Sequence, residues 1–363
     1  VAGKLVPGYF ADLVVLDDGF IGFRNEESRP AWPVKQLEQT AAPWTILKMS
    51  RPLASGALWT YLQQLKRKKI ILIVSIDDLR KENAMISHGL SWERTASDLV
   101  YSLRTHGPLQ HLRRLCRHII VTIGQEGALI INDADPGQYQ LVFDPVHMQG
   151  EFAQKDSRYV IGNQAAFTTG FVYSLLNHLD KLDNKSLPQL EKAVAKGIAA
   201  ARTLVEHGHV QTGENQPEFP EQQLVDTLKK DQDDLPKAFV PDPDQQRFYE
   251  KAETWTILEN NYDFKKDHPP LHPLARRIAQ NGESELINVP GLRINNFFTV
   301  DRNEIEDLRN IRNLIDDYVR NNSGEQPLSI AIFGPPGAGK SFAVKQMAKA
   351  GITARRIQEL GAS

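Results

Sequence analysis

Cysteine is nearly absent. Cys116 is the single one in 363 residues, which excludes an internal disulfide framework and a zinc site built on cysteines, and suits a reducing compartment. Long apolar runs are missing too. The longest, Ile70 to Ile76, is far short of the ~20 residues that cross a bilayer as a helix, and no charged-then-apolar segment opens the chain. A surplus of either charge is also lacking. Lys plus Arg number 43 against 45 Asp plus Glu, a formal charge of −2, which disfavours a globally basic nucleic-acid binder and a polyacidic tail protein. These absences together imply a soluble, cytoplasmic protein with no membrane partner and no indicated nucleic-acid partner.

Core-forming material is plentiful. Hydrophobic residues make up 41% of the chain, enough for more than one core, so two or three domains are expected. The first residue is Val1 rather than Met, and the sequence is expected to begin inside a longer polypeptide.

Residues 1–210 alternate strand and helix signals. Ala11 to Leu16, Trp44 to Lys48, Ile70 to Ser75, His118 to Thr122, Ala128 to Ile131 and Gln140 to Phe143 read as short, β-branched, buried strands. Between them, Leu58 to Leu65 and Ser91 to Arg104 carry apolar residues at helical spacing, with Ser91 an expected N-cap. Strands separated by helices predict an α/β domain with a doubly wound parallel sheet. Lys66-Arg67-Lys68-Lys69 reads as the cationic end of a helix, complementing its dipole, more simply than as a nucleic-acid patch.

From 211 to 245 acids crowd together and Pro217, Pro220, Pro236, Pro241 and Pro243 punctuate the chain. This predicts a linker with at most a short helix near Gln222 to Lys230. The whole of 211–298 is expected to be an acidic, Pro-rich linker and a small helical connector. Trp255 to Leu258 repeats the tetrapeptide of Trp44 to Leu47, too short a match to mean a repeat. The third domain is expected over 299–363. Asp301 and Glu304 have the spacing of a capping box, and Ile305, Leu308, Ile311, Leu314, Ile315 and Tyr318 share one helical face behind them.

The strongest motif follows the expected strand Leu328 to Phe333. Gly334-Pro335-Pro336-Gly337-Ala338-Gly339-Lys340-Ser341 satisfies G-x-x-x-x-G-K-[ST], with an expected helix from Phe342 to Lys349 behind it. The glycines let backbone N–H groups turn toward phosphate oxygens. Lys340 supplies a cation for the β- and γ-phosphates, and Ser341 a hydroxyl for Mg²⁺ at the positive end of the helix. ATP and Mg²⁺ are the expected ligands.

The segment 299–363 resembles the start of an AAA-type P-loop ATPase. That resemblance implies an acidic Walker-B strand, a polar sensor and an arginine finger beyond this point. Only 22 residues follow Ser341, with Glu359 their sole carboxylate. The polypeptide is therefore expected to continue past Ser363, with assembly of copies through that domain.

Residues 11–210 resemble the nucleotide-binding part of ribokinase-family (phosphofructokinase-B type) sugar kinases. The match lies in Val121-Thr-Ile-Gly-Gln-Glu-Gly-Ala-Leu129, Val142-Phe-Asp-Pro145, Gly162-Asn-Gln-Ala-Ala-Phe-Thr-Thr-Gly-Phe171, and the Ala-rich helix Glu191 to Val205. It implies nucleotide contacts at Gly124, Gly127 and Gly162. It also implies a catalytic aspartate at the position held here by Ala165, and a glycine where Gln164 stands. The family's N-terminal sugar-contacting region has no counterpart before Ala11. A degenerate kinase-like domain, holding a nucleotide or phosphorylated metabolite without transferring phosphate, is the expected outcome.

Carboxylates near strand ends are the alternatives. Asp144 and Asp156 are candidate replacement bases in an active small-molecule kinase. Asp77-Asp78 with Arg80, His147, and Asp17-Asp18 read more simply as strand-end polarity and ion pairing, and Trp92 as a packing residue. A third reading is an interaction module whose phosphate loop serves only as a ligand-stabilised element.

Overall fold

The computed structural model describes residues 11–19, 22–39, 41, 43–65, 69–132, 139–154, 160–182, 186–208, 210–212, 216–231, 234–241, 255–261, 271–321, 328–333, 339 and 341–349. Two compact units emerge. The first holds Val1–His88 and Arg94–Trp255, the second Gly89–Glu93 and Thr256–Ser363.

The first unit contains β1 (Leu13–Asp18), α1 (Val34–Leu37), β2 (Trp44–Met49), α2 (Ala57–Gln64), β3 (Ile70–Ser75), α3 (Ile76–Lys81), most of α4 (Trp92–Thr105), α5 (Gly107–Leu115) and β4 (His118–Ile123). Then come β5 (Gly127–Asn132), β6 (Tyr139–Phe143), α6 (Glu151–Gln154), α7 (Asn163–Leu176), α8 (Leu187–His207), the hairpin β7 (Val210–Thr212) and β8 (Gln216–Glu218), α9 (Glu221–Lys229) and β9 (Lys237–Val240). Seven strands make one sheet in the order β1-β2-β3-β4-β5-β6-β9.

The parallel sheet expected from the sequence is only half parallel. β1 through β4 pair in parallel, while β4, β5, β6 and β9 pair antiparallel. Link length decides this. Gly124 to Glu126 separate β4 from β5, far fewer than the dozen or so residues a parallel crossover needs. The strand order also never reverses, so helices reach both faces by another route. α7 and α8 cover one face, where Ile46, Ile73, Ile120 and Ile130 meet Phe167, Phe171, Val194 and Ile198. By strand alternation the equally buried Leu47, Leu72, Val74, Ile119 and Val121 point to the opposite face. Right-handed crossovers place α2, α4 and α5 there.

α7 and α8 touch closely because two glycines face the partner helix. A Cβ on Gly170 would lie 2.5 Å from the Lys196 carbonyl oxygen, and one on Gly197 would lie 2.9 Å from the Phe167 ring.

The stretch expected to be a linker is partly built into this unit. Leu224 of α9 packs with Val160, Ala166, Ala200 and Leu204. The Lys196 Nζ closes the end of α9 by donating to the carbonyls of Thr227 (3.3 Å) and Lys230 (2.5 Å). β9 pairs with β6 from Val142↔Lys237 to Tyr139↔Val240. Four residues alternating exposed and buried are too short a period to stand out among prolines, which edge positions tolerate. The unit therefore runs to Trp255 rather than ending near 210. The repeated tetrapeptide has no common structure: at Trp44 it opens a strand, and at Trp255 it leads into a helix.

The second unit contains α10 (Ile257–Asn261), α11 (Leu271–Asn281), the hairpin β10 (Leu292–Ile294) and β11 (Phe297–Thr299), and α12 (Arg302–Asn321), then a helix over 341–349. Ala343 and Met347, one turn apart, join Leu292, Ile294, Ile305 and Leu308 in a small core. Half of the expected capping box forms: the Glu304 N–H donates to Asp301 Oδ1 at 2.9 Å, while the Glu304 carboxylate accepts from Thr299 Oγ1 at 2.6 Å instead. The expected strand Leu328 to Phe333 is exposed and unassigned. A strand exists only beside a partner that takes its backbone hydrogen bonds, and no such partner is present among the described residues. No helix among the described residues is long and apolar enough to cross a membrane.

Candidate functional site

In the first unit, one edge of the sheet gathers the chemistry. Ser75 ends β3 beside Thr122 of β4, and Ile123, Gly127 and Phe143 align across β4, β5 and β6. α7 begins at the same edge, because the Gln164 amide donates to Thr122 Oγ1 at 2.5 Å. Gly162 precedes the helix at φ +104, a left-handed conformation that favours glycine. Gln164, where the kinase resemblance implies glycine, thus turns its side chain onto the strand end. Ala165 follows in the first turn and brings no proton acceptor. It opens onto a shallow groove of about 370 Å³, lined also by Thr168, Thr169, Val172, Tyr173 and, from β1, Val15 and Asp17.

The turn between β4 and β5 packs around a buried carboxylate. Gly124 sits at φ +60, and a Cβ there would lie 2.2 Å from Glu126 Oε2. Glu126 is fully buried. Its Oε2 accepts from the Gln125 N–H at 2.9 Å, its Oε1 from the Phe152 N–H at 2.8 Å, and the Gly150 N–H also bonds the carboxylate. Burial pushes its pKa above the ordinary carboxylate value, opposed by those N–H groups and by Arg202. Sequence reasoning passed over Glu126. The available signal was an acid held between two glycines in a turn bounded by predominantly apolar strands.

Asp144 stands at the end of β6 and is 5% exposed. Its Oδ1 accepts from the Val146 (2.7 Å) and His147 (3.3 Å) N–H groups, and its Oδ2 meets His147 Nδ1 at 2.9 Å and an Arg202 nitrogen at 2.5 Å. Arg202, from α8, also donates to the Gln125 carbonyl at 2.9 Å and lies 4.6 Å over the Phe152 ring. Burial opposes the Asp144 charge. The His147 bond, the Val146 N–H and Arg202 outweigh it and hold the carboxyl below its ordinary value. Asp144 is thus a tied anion with low basicity, and the geometry does not favour the replacement-base role.

The other described strand-end acids also have partners within the unit. Asp77 Oδ1 meets Arg80 at 2.9 Å and Gln149 at 3.2 Å, and Arg80 further donates to the carbonyls of Ile86 and Ser87. Asp78 closes a reciprocal cap with Ser75 at the start of α3. Asp18 is buried in an ion pair with Arg24 at 2.7 Å. Asp17 pairs with Lys48 at 2.8 Å but stays half exposed. Trp92 is fully buried, as a packing residue should be. Asp156 lies outside the described residues.

The phosphate loop belongs to the second unit. Gly334, Pro335, Pro336, Gly337, Ala338 and Lys340 lie outside the described residues. Gly339 adopts φ +72, and among the described residues outside its chain neighbours nothing approaches within 4 Å of where its Cβ would stand. Ser341 opens the helix over 341–349 with its side chain exposed. A left-handed glycine, with a hydroxyl two residues on at a helix N-terminus, suits the phosphates and Mg²⁺ of a bound nucleotide. No cluster of three or more His, Cys, Asp or Glu that could hold a metal by itself is present among the described residues.

No family model matches the chain, and no curated protein matches it. Among solved structures, it is similar to aminoimidazole riboside kinase from Salmonella enterica, at 18% identity and a TM-score of 0.37, over 62% of this chain and 65% of that one. It is similar to a fructokinase double mutant from Vibrio cholerae O395, bound to fructose, ADP and potassium ion, at 14% identity and a TM-score of 0.34, over 62% and 63%. A carbohydrate kinase from Agrobacterium tumefaciens matches at 14% identity and a TM-score of 0.26, over 53% and 59%. The chain spans less than two thirds of each of these proteins.

Proposed function

We propose that this chain is an ATP-binding multidomain protein. In this reading a ribokinase-like first unit has lost phosphoryl transfer and serves as a sensor or scaffold, coupled to a P-loop ATPase element in the second unit. Bound Mg-ATP supplies the phosphoanhydride whose cleavage such elements use. The backbone N–H groups of 334–341 would hold the phosphates, Lys340 would neutralise the β- and γ-oxygens, and Ser341 would ligate Mg²⁺.

The observation that carries the non-catalytic reading of the first unit is the state of its strand-end acids. Beside Ala165, which has no acceptor, Asp144, Asp77 and Glu126 are bound to cations or backbone N–H groups of the same unit, and the Asp78 carboxylate accepts from the Ser75 hydroxyl. A general base needs a free lone pair aimed at the substrate hydroxyl. Groups tied in this way build a rigid edge instead.

The test is a calorimetric titration of Mg-ATP into the chain and into Lys340→Ala. Binding that disappears in the variant supports the phosphate loop as the nucleotide site. Undiminished binding in Lys340→Ala refutes it, and ATP-dependent phosphorylation of a sugar or nucleoside refutes the non-catalytic reading.

A second reading rests on Asp17. It is the carboxylate that shares a groove with Ala165, and it is half exposed. A small-molecule kinase using Asp17 as base predicts turnover that survives Lys340→Ala and is abolished by Asp17→Asn.

A further inference from the structure

The second unit takes a short strap from far up the chain. Gly89–Glu93 group with Thr256–Ser363, although His88 and Arg94 on either side belong to the first unit. A set of buried polar contacts inside the second unit fastens the strap. Arg302, Glu306 and Arg309 follow one another at helical spacing and so share one face of α12. The Arg309 guanidinium donates to the Gly89 carbonyl at 3.3 Å, and the Ser91 hydroxyl donates to Glu306 Oε1 at 2.6 Å. The same Glu306 oxygen accepts from Arg302 Nε at 2.8 Å. At the end of the strap, Glu93 Oε1 accepts from the Ile257 N–H, where α10 begins, at 3.0 Å. Ser91, Glu93, Arg302 and Arg309 are all buried.

Glu93 is the group in this cluster without a cation bonded to its carboxylate. The charged side chains that act on it both come from α12. Arg302 favours its ionised form and Glu306 opposes it, and Arg302 is at the same time paired with Glu306. α10 contributes the Ile257 N–H, and α4 contributes the N–H of Glu93 itself. Both N–H groups favour the charge. Burial is the largest influence and outweighs them, holding the carboxyl above its ordinary value of 4.5. A neutral carboxyl keeps an oxygen for the Ile257 N–H. An ionised one sets a second negative charge beside Glu306 where bulk water does not reach. A strap that lifts away returns Glu93 to water and to ordinary acidity.

We propose that Gly89–Glu93, Ile257 and the first turns of α12 form a proton-dependent clasp, closed while the Glu93 carboxyl is neutral and released when it ionises. The sign follows from proton counting. Between the ordinary value and the folded one, the closed clasp binds more protons than the open one, so opening becomes easier as pH rises through that window and levels off above it. A clasp held by a Glu93–Arg302 ion pair would do the opposite and tighten as pH rose. The cluster joins segments more than 150 residues apart, which is why no local pattern reveals it. It stands independently of nucleotide binding by the phosphate loop that follows α12.

The test is hydrogen–deuterium exchange of the full chain from pH 5 to 9, read by mass spectrometry, with each rate divided by the intrinsic amide rate at that pH. Peptides over 86–98 and 255–261 report the clasp, and one over β3 reports the first unit. Wild-type protection at the clasp should fall as pH rises, by up to about tenfold per pH unit, and then level off. Glu93→Gln keeps a carbonyl for the Ile257 N–H and cannot ionise, so its clasp protection should stay constant. Glu306→Gln removes the repelling charge, so the levelling should come at lower pH. If Glu93→Gln fails to fold, Glu306→Gln decides the matter alone. Wild-type protection that is flat or rises with pH would overturn the proposal. So would a decline that persists in Glu93→Gln, an equal decline at β3, or levelling in Glu306→Gln at the wild-type pH or above.

Discussion

Gly170→Ala should destabilise the first unit although alanine is the better helix former. In an exposed helix interior the exchange gains about 1 kcal/mol. Here the new Cβ would stand 2.5 Å from the Lys196 carbonyl oxygen, 2.9 Å from its carbonyl carbon and 2.9 Å from the Ala200 Cβ. Ordinary contact begins near 3.4 Å, so α7 and α8 must separate by most of an ångström. The first obstacle is backbone, which cannot rotate aside as a side chain can. Overpacking of a filled core costs about 1–3 kcal/mol, sometimes more, and a backbone clash belongs at the upper end. The net loss is then about 1–3 kcal/mol, or a Tm lower by roughly 3–10 °C for a unit of this size. Circular dichroism melts of the full chain at 222 nm measure it. The partner change Gly197→Ala should cost less, because part of what it meets is the Phe167 ring, which can shift. A Gly170→Ala protein as stable as wild type would refute the close-approach account, and with it the claim that the glycine near the end of the kinase-like signature serves helix packing.

Two further changes probe the tied acids. Glu126→Gln puts an amide among donors: three backbone N–H groups face the carboxylate, so an N–H₂ end meets donors and about 1–3 kcal/mol is lost, measurable by urea unfolding at pH 7. The sign with pH is fixed by the raised pKa. The native state binds more protons than the unfolded state from near the ordinary value of 4.5 up to the folded value, so wild type loses stability as pH climbs through that window, and Glu126→Gln should lack this decline. Asp144 has the opposite sign. Its lowered pKa contributes stability above the ordinary value of 3.8 that vanishes as pH falls through the folded value. Melts of Asp144→Asn between pH 2.5 and 5 should therefore show a flatter acid limb, with about 1–3 kcal/mol lost at neutral pH. That is less than a fully buried pair would lose, because the Arg202 side chain is 22% exposed. Both acids face Arg202, so the two effects should not simply add.

Strands and helices with strong local periodicity were legible in the sequence. Ile70 to Ser75 reads as a strand on β-branched content alone, and the observed β3 has those bounds. The helix ahead of the phosphate loop is legible from Ile305, Leu308 and Ile311, which pack in or against its small core. α5 was not legible. Its Gly107-Pro108 start looks like the end of α4 rather than a new beginning, although proline is well placed in a first helical turn. β9 was not legible either, because four residues in a proline-rich, acidic stretch give no usable period. The site was readable as residue types and hidden as connections. Asp144 looks equally available as a base or a pair member until Arg202, 58 residues away, is brought beside it.

Sequence by itself determined the phosphate-loop octet, the alternation of strands and helices, and the missing acid at position 165, because each is a matter of residue identity within a few neighbours. Tertiary structure decided what those residues can do. It made half of the sheet antiparallel through one short turn, folded the proline-rich stretch into an edge strand and a packed helix, and satisfied the strand-end acids internally. Each of these depends on which distant segments share a sheet edge or a helix face, and local pattern carries little of that information.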